Sequence, residues 1–212
     1  MTLCEPVFVY GAGGHAKVVI DILEQQQVPI AAVLDDNEAL RGKTILGYAI
    51  QHTVEVIDDL PSQGIRRSVV AIGDNRVREL QAASLMQKGF ELVTCIHPSA
   101  VISRHAQVCA GVVVMAGVMV NPAAVIRDFA ILNTGCTIDH DCDIGIAVHV
   151  GPGVHVGGTV QIGDRTLIGT GASIKHNCRI GHDVIVGAGA AVIGDLPSQV
   201  TAVGVPARVI HD

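Results

Sequence analysis

From residue 96 onward, every sixth residue is a branched aliphatic. Ile96, Ile102, Val108, Val114, Val120, Ile126, Leu132, Ile138 and Ile144 lead on to Val150, Val156, Ile162, Ile168, Ile174, Ile180, Val186 and Val192 without an insertion. The position two residues before the aliphatic, from Ala100 to Ala190, holds only Ala, Val, Cys or Thr. Glycine often follows the aliphatic, as in Ile144-Gly145, Val150-Gly151, Ile162-Gly163, Ile168-Gly169, Ile180-Gly181 and Val186-Gly187. A helix repeats every ~3.6 residues and a strand every ~2, so neither accounts for six. A coil with three flat faces per turn does. One aliphatic per face fills the interior, a small residue fits beside the corner, and glycine tolerates the turn. Cys136, Cys142 and Cys178 occupy the small position, so they read as core residues.

Composition agrees with such a coil. The 212 residues are 49% hydrophobic but only 2% aromatic, with 24 Gly and no Trp. The core is therefore built from Val, Ile, Leu and Ala, over one or two domains. A net charge of −6 argues against general affinity for nucleic acid or anionic membrane. The opening MTLCEPVFVY lacks a basic n-region and a cleavage site, so no secretory signal is expected. The six Cys form no CxxC pair, and reduced thiols in the cytoplasm are the expectation. Residues 106 to 126 carry no charge, about the length of a membrane span. Gly111, Gly117, Asn121, Pro122 and the period of six all argue against a span there.

The repeat resembles that of the hexapeptide-repeat acyltransferases, and the resemblance covers residues 96 to about 195. It implies a left-handed parallel β-helix, a homotrimer, and active sites in clefts between neighbouring coils. The handedness comes from the resemblance and not from the period.

Residues 1–93 follow a different pattern, and 94–212 are expected to form the β-helix domain with a C-terminal tail. VFVYGAGGHAKVVIDILEQQ reads as strand, glycine turn and helix, with Val18, Val19, Ile22 and Leu23 on the apolar face. PIAAVLDD and SVVAIGDN read as further strands, and NRVRELQAASLMQKG as a helix ended by Gly89. The expected fold is a small α/β, Rossmann-like half-domain with a parallel sheet. Gly11-Ala12-Gly13-Gly14-His15-Ala16 fits G-x-G-x-x-A, and Asp35-Asp36 follow about twenty residues later. Glycine lets the backbone approach a phosphate, and the helix N-terminus favours its charge. The two acids would accept hydrogen bonds from ribose hydroxyls or a base. So few strands suit a single nucleotide carrying a group on its diphosphate better than a dinucleotide.

The segments GAGGHAKVVIDIL, LDD, AIGDNRVRE, IHPSA, NTGCTIDHDCDIG, AVHVGPG and VGVPAR narrow the match. In that order the whole chain resembles bacterial nucleotide-sugar acetyltransferases, whose best-known members N-acetylate 4-amino-4,6-dideoxy sugars on UDP, GDP or dTDP. Related sequences are named sialic acid O-acetyltransferases, so O-acetylation of a sugar hydroxyl is the alternative. The resemblance implies acetyl-CoA as co-substrate, no metal, and a role in surface glycan biosynthesis.

Transfer of an acetyl group from a thioester to an amine needs a base, because an ammonium has no lone pair for attack. Histidine suits, with an unperturbed pKa of roughly 6.5. A carboxylate at the imidazole fixes its tautomer and stabilises the cation that forms. In TIDHDCDIG, His140 sits near a coil corner between Asp139 and Asp141. The resemblance makes His140 the base and Asp141 its partner; the family usually has Glu there, one methylene longer, and Asp139 is the alternative partner. Asn133 would place the sugar amine or the base, and His149 would bond near the acetyl carbonyl or the pantetheine arm. The resemblance also implies that coenzyme A runs past the backbone near Gly158, Thr170 and Ala188, with Arg208 of Val205-Pro206-Ala207-Arg208 near a phosphate. On the sugar side it assigns Gly13, Gly14 and His15 to the glycosyl-diphosphate end, Asp35 and Asp36 to the nucleoside, and Gly73 to the adjacent loop.

Three rival readings stand beside this one. A metal site resembling the γ-class carbonic anhydrases needs three imidazoles from neighbouring coils and subunits. The residues one coil of about eighteen residues away from His140 are Pro122 and Gly158, and those from His149 are Ile131 and Leu167. The pairs 149/155 and 176/182 fall on different faces. A non-catalytic sugar-nucleotide binder would leave Asn133, His140 and His149 without a purpose. Transfer to a hydroxyl instead of an amine uses the same base.

Overall fold

The computed structural model describes residues 5–210. Cys4, one of the six cysteines, and the opening Met1-Thr2-Leu3 lie outside the described residues. Two compact units divide between Pro98 and Ser99.

In the first unit, β1 (Val7–Tyr10) leads through a glycine turn into α1 (Gly14–Gln25) and β2 (Ile30–Asp35). Then follow β3 (Thr44–Ile45), β4 (Tyr48–His52), the short α2 (Thr53–Val56), β5 (Arg67–Val70), α3 (Asn75–Gln87) and β6 (Glu91–Leu92). The sheet order is β3-β4-β2-β1-β5-β6, parallel except for the antiparallel edge pair β3–β4. Chain order reverses between β1 and β5, which opens a crevice at their C-terminal ends. The β3–β4 hairpin and β6 go beyond the sequence expectation; β3 and β6 are only two residues long, too short for alternation to register. α1 buries Val19, Ile20, Ile22 and Leu23, while Val18 is only half-buried. Gly89 ends α3 in a left-handed conformation, φ 85°.

The second unit is a three-sided coil of two-residue strands. One face stacks the strands at 113–114, 131–132, 149–150, 167–168 and 185–186. The second stacks 101–102, 119–120, 137–138, 155–156, 173–174 and 191–192, and the third stacks 107–108, 125–126, 143–144, 161–162 and 179–180. All these ladders are parallel, in a register of eighteen residues, as in Val120↔Ile138 and Ile138↔Val156. The aliphatics therefore stack on themselves: Ile126, Ile144, Ile162 and Ile180 are all buried. The small positions are buried too, including Cys136, Cys142 and Cys178, whose thiols are free. Burial pushes the Cys136 thiol up to about 12, so it is inert at neutral pH. Thr166, the one polar member of that column, donates its hydroxyl to Gly181 O at 2.8 Å and accepts from Val184 N at 3.1 Å. Ile102 and Val108 are only partly covered, because the first coil has a neighbour on one side.

The glycines that follow the aliphatics serve a different purpose from the turn relief expected of them. At Gly145, Gly151, Gly163, Gly169 and Gly181 an added Cβ would stand 2.5–2.7 Å from the next turn of chain. They allow close stacking. The turn is made two residues later, where every sixth residue from Gly111 to Gly189 has φ between 53° and 69°. Asp141 and Asp183 hold two of those left-handed places, which aspartate accepts more readily than most residues. The uncharged stretch 106–126 lies on these coils, and no described helix is long and apolar enough to cross a membrane.

Candidate active site

His140 lies at the corner between the strands 137–138 and 143–144. The left-handed backbone of Asp141 (φ 58°) turns its carboxylate back onto the preceding ring. Asp141 Oδ2 accepts from His140 Nδ1 at 2.7 Å. The shorter side chain therefore reaches without help. That bond places the proton on Nδ1 and leaves the lone pair on Nε2. Asp139 bonds to backbone and to a neighbouring coil. Its Oδ1 accepts from the His140 backbone N–H at 2.8 Å and from Asn121 Nδ2 at 2.8 Å. The hydrogen bond to Asp141 holds the His140 pKa above the ordinary imidazole value, with the charge of Asp139 adding to it.

One coil along, at the eighteen-residue offset, stands Gly158. A Cβ added there would lie 2.7 Å from both Cε1 and Nε2 of His140, and its three nearest atoms would all be imidazole atoms. Gly158 is buried, and the imidazole rests against the space its missing side chain leaves.

Asn133 and His149 belong to a different edge of the coil. Asn133 begins the corner after the strand 131–132, and His149 projects from the neighbouring strand of that face. Asn133 Nδ2 and His149 Nε2 are 3.0 Å apart, and Asn133 Oδ1 accepts from Thr134 N at 2.8 Å. Thr170 and Ala188 are exposed on the same edge, two and three coils further along. The expected coenzyme residues are thus divided: Thr170, Ala188 and His149 on one edge, Gly158 with His140 on the next. Within one chain the face formed by 101–102, 119–120, 137–138 and 155–156 separates them. Arg208 is exposed on the closing antiparallel pair Thr201–Val203 and Arg208–Ile210, where it bonds to Ala207 O.

In the first unit, Gly11 (φ 107°) sits where β1 and β5 diverge, and an added Cβ would be 2.8 Å from Ala71 O. Gly13 and Gly14 are exposed at the start of α1, with nothing within 4 Å of an added Cβ and no side-chain cap on the helix. That leaves open space at a positive helix end. His15 is half-buried in the first turn. Asp35 uses both oxygens on backbone: Oδ2 accepts from Ala12 N at 2.7 Å and Oδ1 from Asn37 N at 2.8 Å. It shapes the glycine turn. Asp36 is exposed and accepts from Tyr10 OH at 2.6 Å. Burial and the Asp36 bond raise the Tyr10 pKa, so its phenol stays protonated. Gly73 is exposed in the β5–α3 loop, which the buried Arg78 pins by donating to Ile72 O at 3.1 Å, Gly73 O at 2.9 Å and Asn75 Oδ1 at 2.9 Å. Neither Tyr10 nor Arg78 stands out in the sequence, where a tyrosine closing a strand and an arginine inside a helix carry no distinguishing signal. Asn121 is legible there only as the residue eighteen before Asp139, and Gly158, expected beside the coenzyme, gives no sign there that it makes room for the His140 ring. Among the described residues no group of three His, Cys, Asp or Glu side chains is placed to hold a metal ion.

Comparison with known proteins bears on both units. Residues 6–85 match the PglD N-terminal domain family, and residues 159–194 match the bacterial transferase hexapeptide family of six repeats. A perosamine N-acetyltransferase from Caulobacter crescentus, solved as a histidine-to-asparagine variant with CoA and GDP-perosamine, is 43% identical. The match covers 98% of this chain and 97% of that one, with a TM-score of 0.94. The chain belongs to the hexapeptide-repeat nucleotide-sugar acetyltransferases.

Its coil is therefore the left-handed parallel β-helix of that family. Another member is the acetyltransferase domain of PglB from Neisseria gonorrhoeae FA1090, solved with acetyl coenzyme A. It is 34% identical over 98% of this chain and 100% of that one, with a TM-score of 0.90. A curated relative, the UDP-N-acetylbacillosamine N-acetyltransferase of Bacillus subtilis (strain 168), is 36% identical over 119 residues. That match takes in 51% of this chain and 50% of the relative, so the alignment spans about half the length of the curated protein.

Proposed function

We propose that the protein transfers the acetyl group of acetyl-CoA to the amino group, at C4, of a nucleoside-diphosphate-linked amino-dideoxy sugar, for surface glycan biosynthesis in the cytoplasm. The observation that carries the reading is the 2.7 Å bond from His140 Nδ1 to Asp141, which leaves a basic Nε2 on an exposed corner. In the reaction the neutral amine nitrogen attacks the thioester carbonyl, and His140 Nε2 takes the proton that nitrogen loses. Collapse of the tetrahedral intermediate breaks the C–S bond. The imidazolium, stabilised by Asp141, returns the proton to the departing thiolate.

The nucleotide belongs on the first unit. Its diphosphate fits the open, uncapped start of α1 at Gly13, Gly14 and His15, and the free lone pairs of Asp36 suit ribose hydroxyls or a base. Asp35 contributes chiefly by holding the turn, and Gly73 offers backbone on the far side of the crevice. Acetyl-CoA fits the edge carrying Thr170, Ala188 and His149, with Asn133 holding His149 and Arg208 available to a phosphate.

A homotrimer is part of this reading, and the placement of these groups supports it. The base and the coenzyme edge flank the same face, so neither reaches the other within one chain. A threefold axis over that face sets each His140 corner against the coenzyme edge of a neighbour. The test is thiol release from acetyl-CoA against UDP-, GDP- and dTDP-linked 4-amino sugars. Turnover with one of them is expected, and no turnover with any would overturn the reading.

A further inference from the structure

Asp139 is the residue beside His140 that the reaction above leaves unused. It starts the corner, directly after Ile138, and the register Val120↔Ile138 stacks it on Asn121. A single oxygen, Oδ1, receives both the Asn121 side-chain amide and the His140 backbone N–H, each at 2.8 Å. The coil below thereby grips the peptide from which the imidazole hangs. Such a second layer is what holds a reactive ring to a productive position. We propose that Asp139, held by Asn121, is a positioning residue for His140, fixing its backbone and presenting a permanent negative charge to the ring. The proposal rests on His140 being the base.

The charge is permanent because the Asn121 and backbone hydrogen bonds keep the Asp139 carboxyl below its usual range. Few other groups face His140. On its own corner they are Asp139 and Asp141; the coil below brings Asn121 and Pro122, and the coil above Gly157 and Gly158. Lys175 and His176 stand at the next offset. Asp139 is thus one of two carboxylates acting on the ring, and the only one tied to a neighbouring coil.

Asp139→Asn keeps an oxygen that accepts both bonds and removes the charge. Loss of a negative charge disfavours the imidazolium, so the acid limb of kcat/KM is expected to move to lower pH. The base also weakens, so the plateau kcat should fall several-fold with KM for both substrates unchanged. Asn121→Ala is expected to lower kcat several-fold without altering the melting temperature by more than a few degrees. The direct measurement is an NMR titration of the histidine rings in Asp139→Asn and in the wild type, with His140→Ala identifying the resonance. A lower His140 pKa in Asp139→Asn supports the proposal. An unmoved His140 titration together with a superimposable pH–rate profile overturns it. Full activity of His140→Ala would instead overturn the assignment of the base, whatever the titration shows.

Discussion

The coil builds the same histidine–aspartate corner twice, and the two copies differ in what surrounds them. His182 Nδ1 lies 2.9 Å from Asp183 Oδ2, as His140 Nδ1 lies 2.7 Å from Asp141 Oδ2. In both, the aspartate has a positive φ, 54° and 58°, and that backbone turns the carboxylate onto the preceding ring. Asp183, however, also receives Nε and Nη2 of Arg165, each at 3.0 Å, and only 10% of its side chain is exposed. Asp141 carries no such cation and is 60% exposed. Above His140 lies the bare α-carbon of Gly158; above His182 is Ser198, whose hydroxyl accepts the His182 backbone N–H at 3.2 Å. The dyad geometry is thus a by-product of the hexapeptide corner. A reactive site needs in addition a carboxylate left free to serve the ring and room beside Nε2.

That contrast can be broken, starting with the largest expected effect. His140→Ala should lower kcat by roughly 10²–10⁴ with coenzyme binding nearly intact, whereas His182→Ala should stay within about twofold. Steady-state kinetics with a coenzyme titration decides it, and equal losses would erase the distinction. Gly158→Ala puts a methyl where the ring stands. Its backbone lies outside the left-handed region, so the ring itself must give way. Displacement on the order of 1 Å is expected to cost up to about 10²-fold in kcat. Wild-type turnover in that variant would show that the ring's place is not set by the glycine.

The two aspartates should separate activity from stability. Asp141→Ala is expected to lower kcat by about tenfold or more and leave the melting temperature unchanged. Asp183→Ala removes the charge-assisted bonds it receives from Arg165, worth ~1–3 kcal/mol. Its melting temperature should fall by several degrees, at ~2–4 °C per kcal/mol for a chain of this length, with kcat preserved. Calorimetry beside the thiol assay would show whether the roles are reversed. The smallest effect is on pH. Because Asp141, and then Asp139, raise the His140 pKa, the base is neutral only above the ordinary imidazole range of roughly 6.5. The acid limb of kcat/KM should therefore lie above that value and move down in Asp141→Asn. An acid limb at or below it would contradict the carboxylate contacts.

The two corners also show how far sequence reading extends. TIDHDCDIG marks His140 because the histidine lies between two acids, yet it leaves Asp139 and Asp141 as rivals for the ring. Their division of labour follows from one dihedral angle at Asp141, which no residue type dictates. Asn133 and His149 are both legible as site residues, but their 3.0 Å contact depends on stacking neighbouring coils. Asp35 and Asp36 look equivalent in the sequence; folding gives one to the backbone of the glycine turn and the other to Tyr10.

By itself the sequence determined that the second unit is a three-faced coil, though not its hand. Each interior place is filled by a local rule repeated every six residues, and a rule that short leaves no other way to bury the aliphatics. It also marked the glycine turn after β1, where a side chain would strike the chain just beyond β5. Only the tertiary structure decided the rest: which carboxylate serves His140, that Gly158 clears space for its ring, and that the base and the coenzyme edge lie apart. The first depends on one backbone angle at Asp141, and the others on residues eighteen positions away or on opposite sides of a face, where a neighbour is set by stacking and not by its own six-residue surroundings.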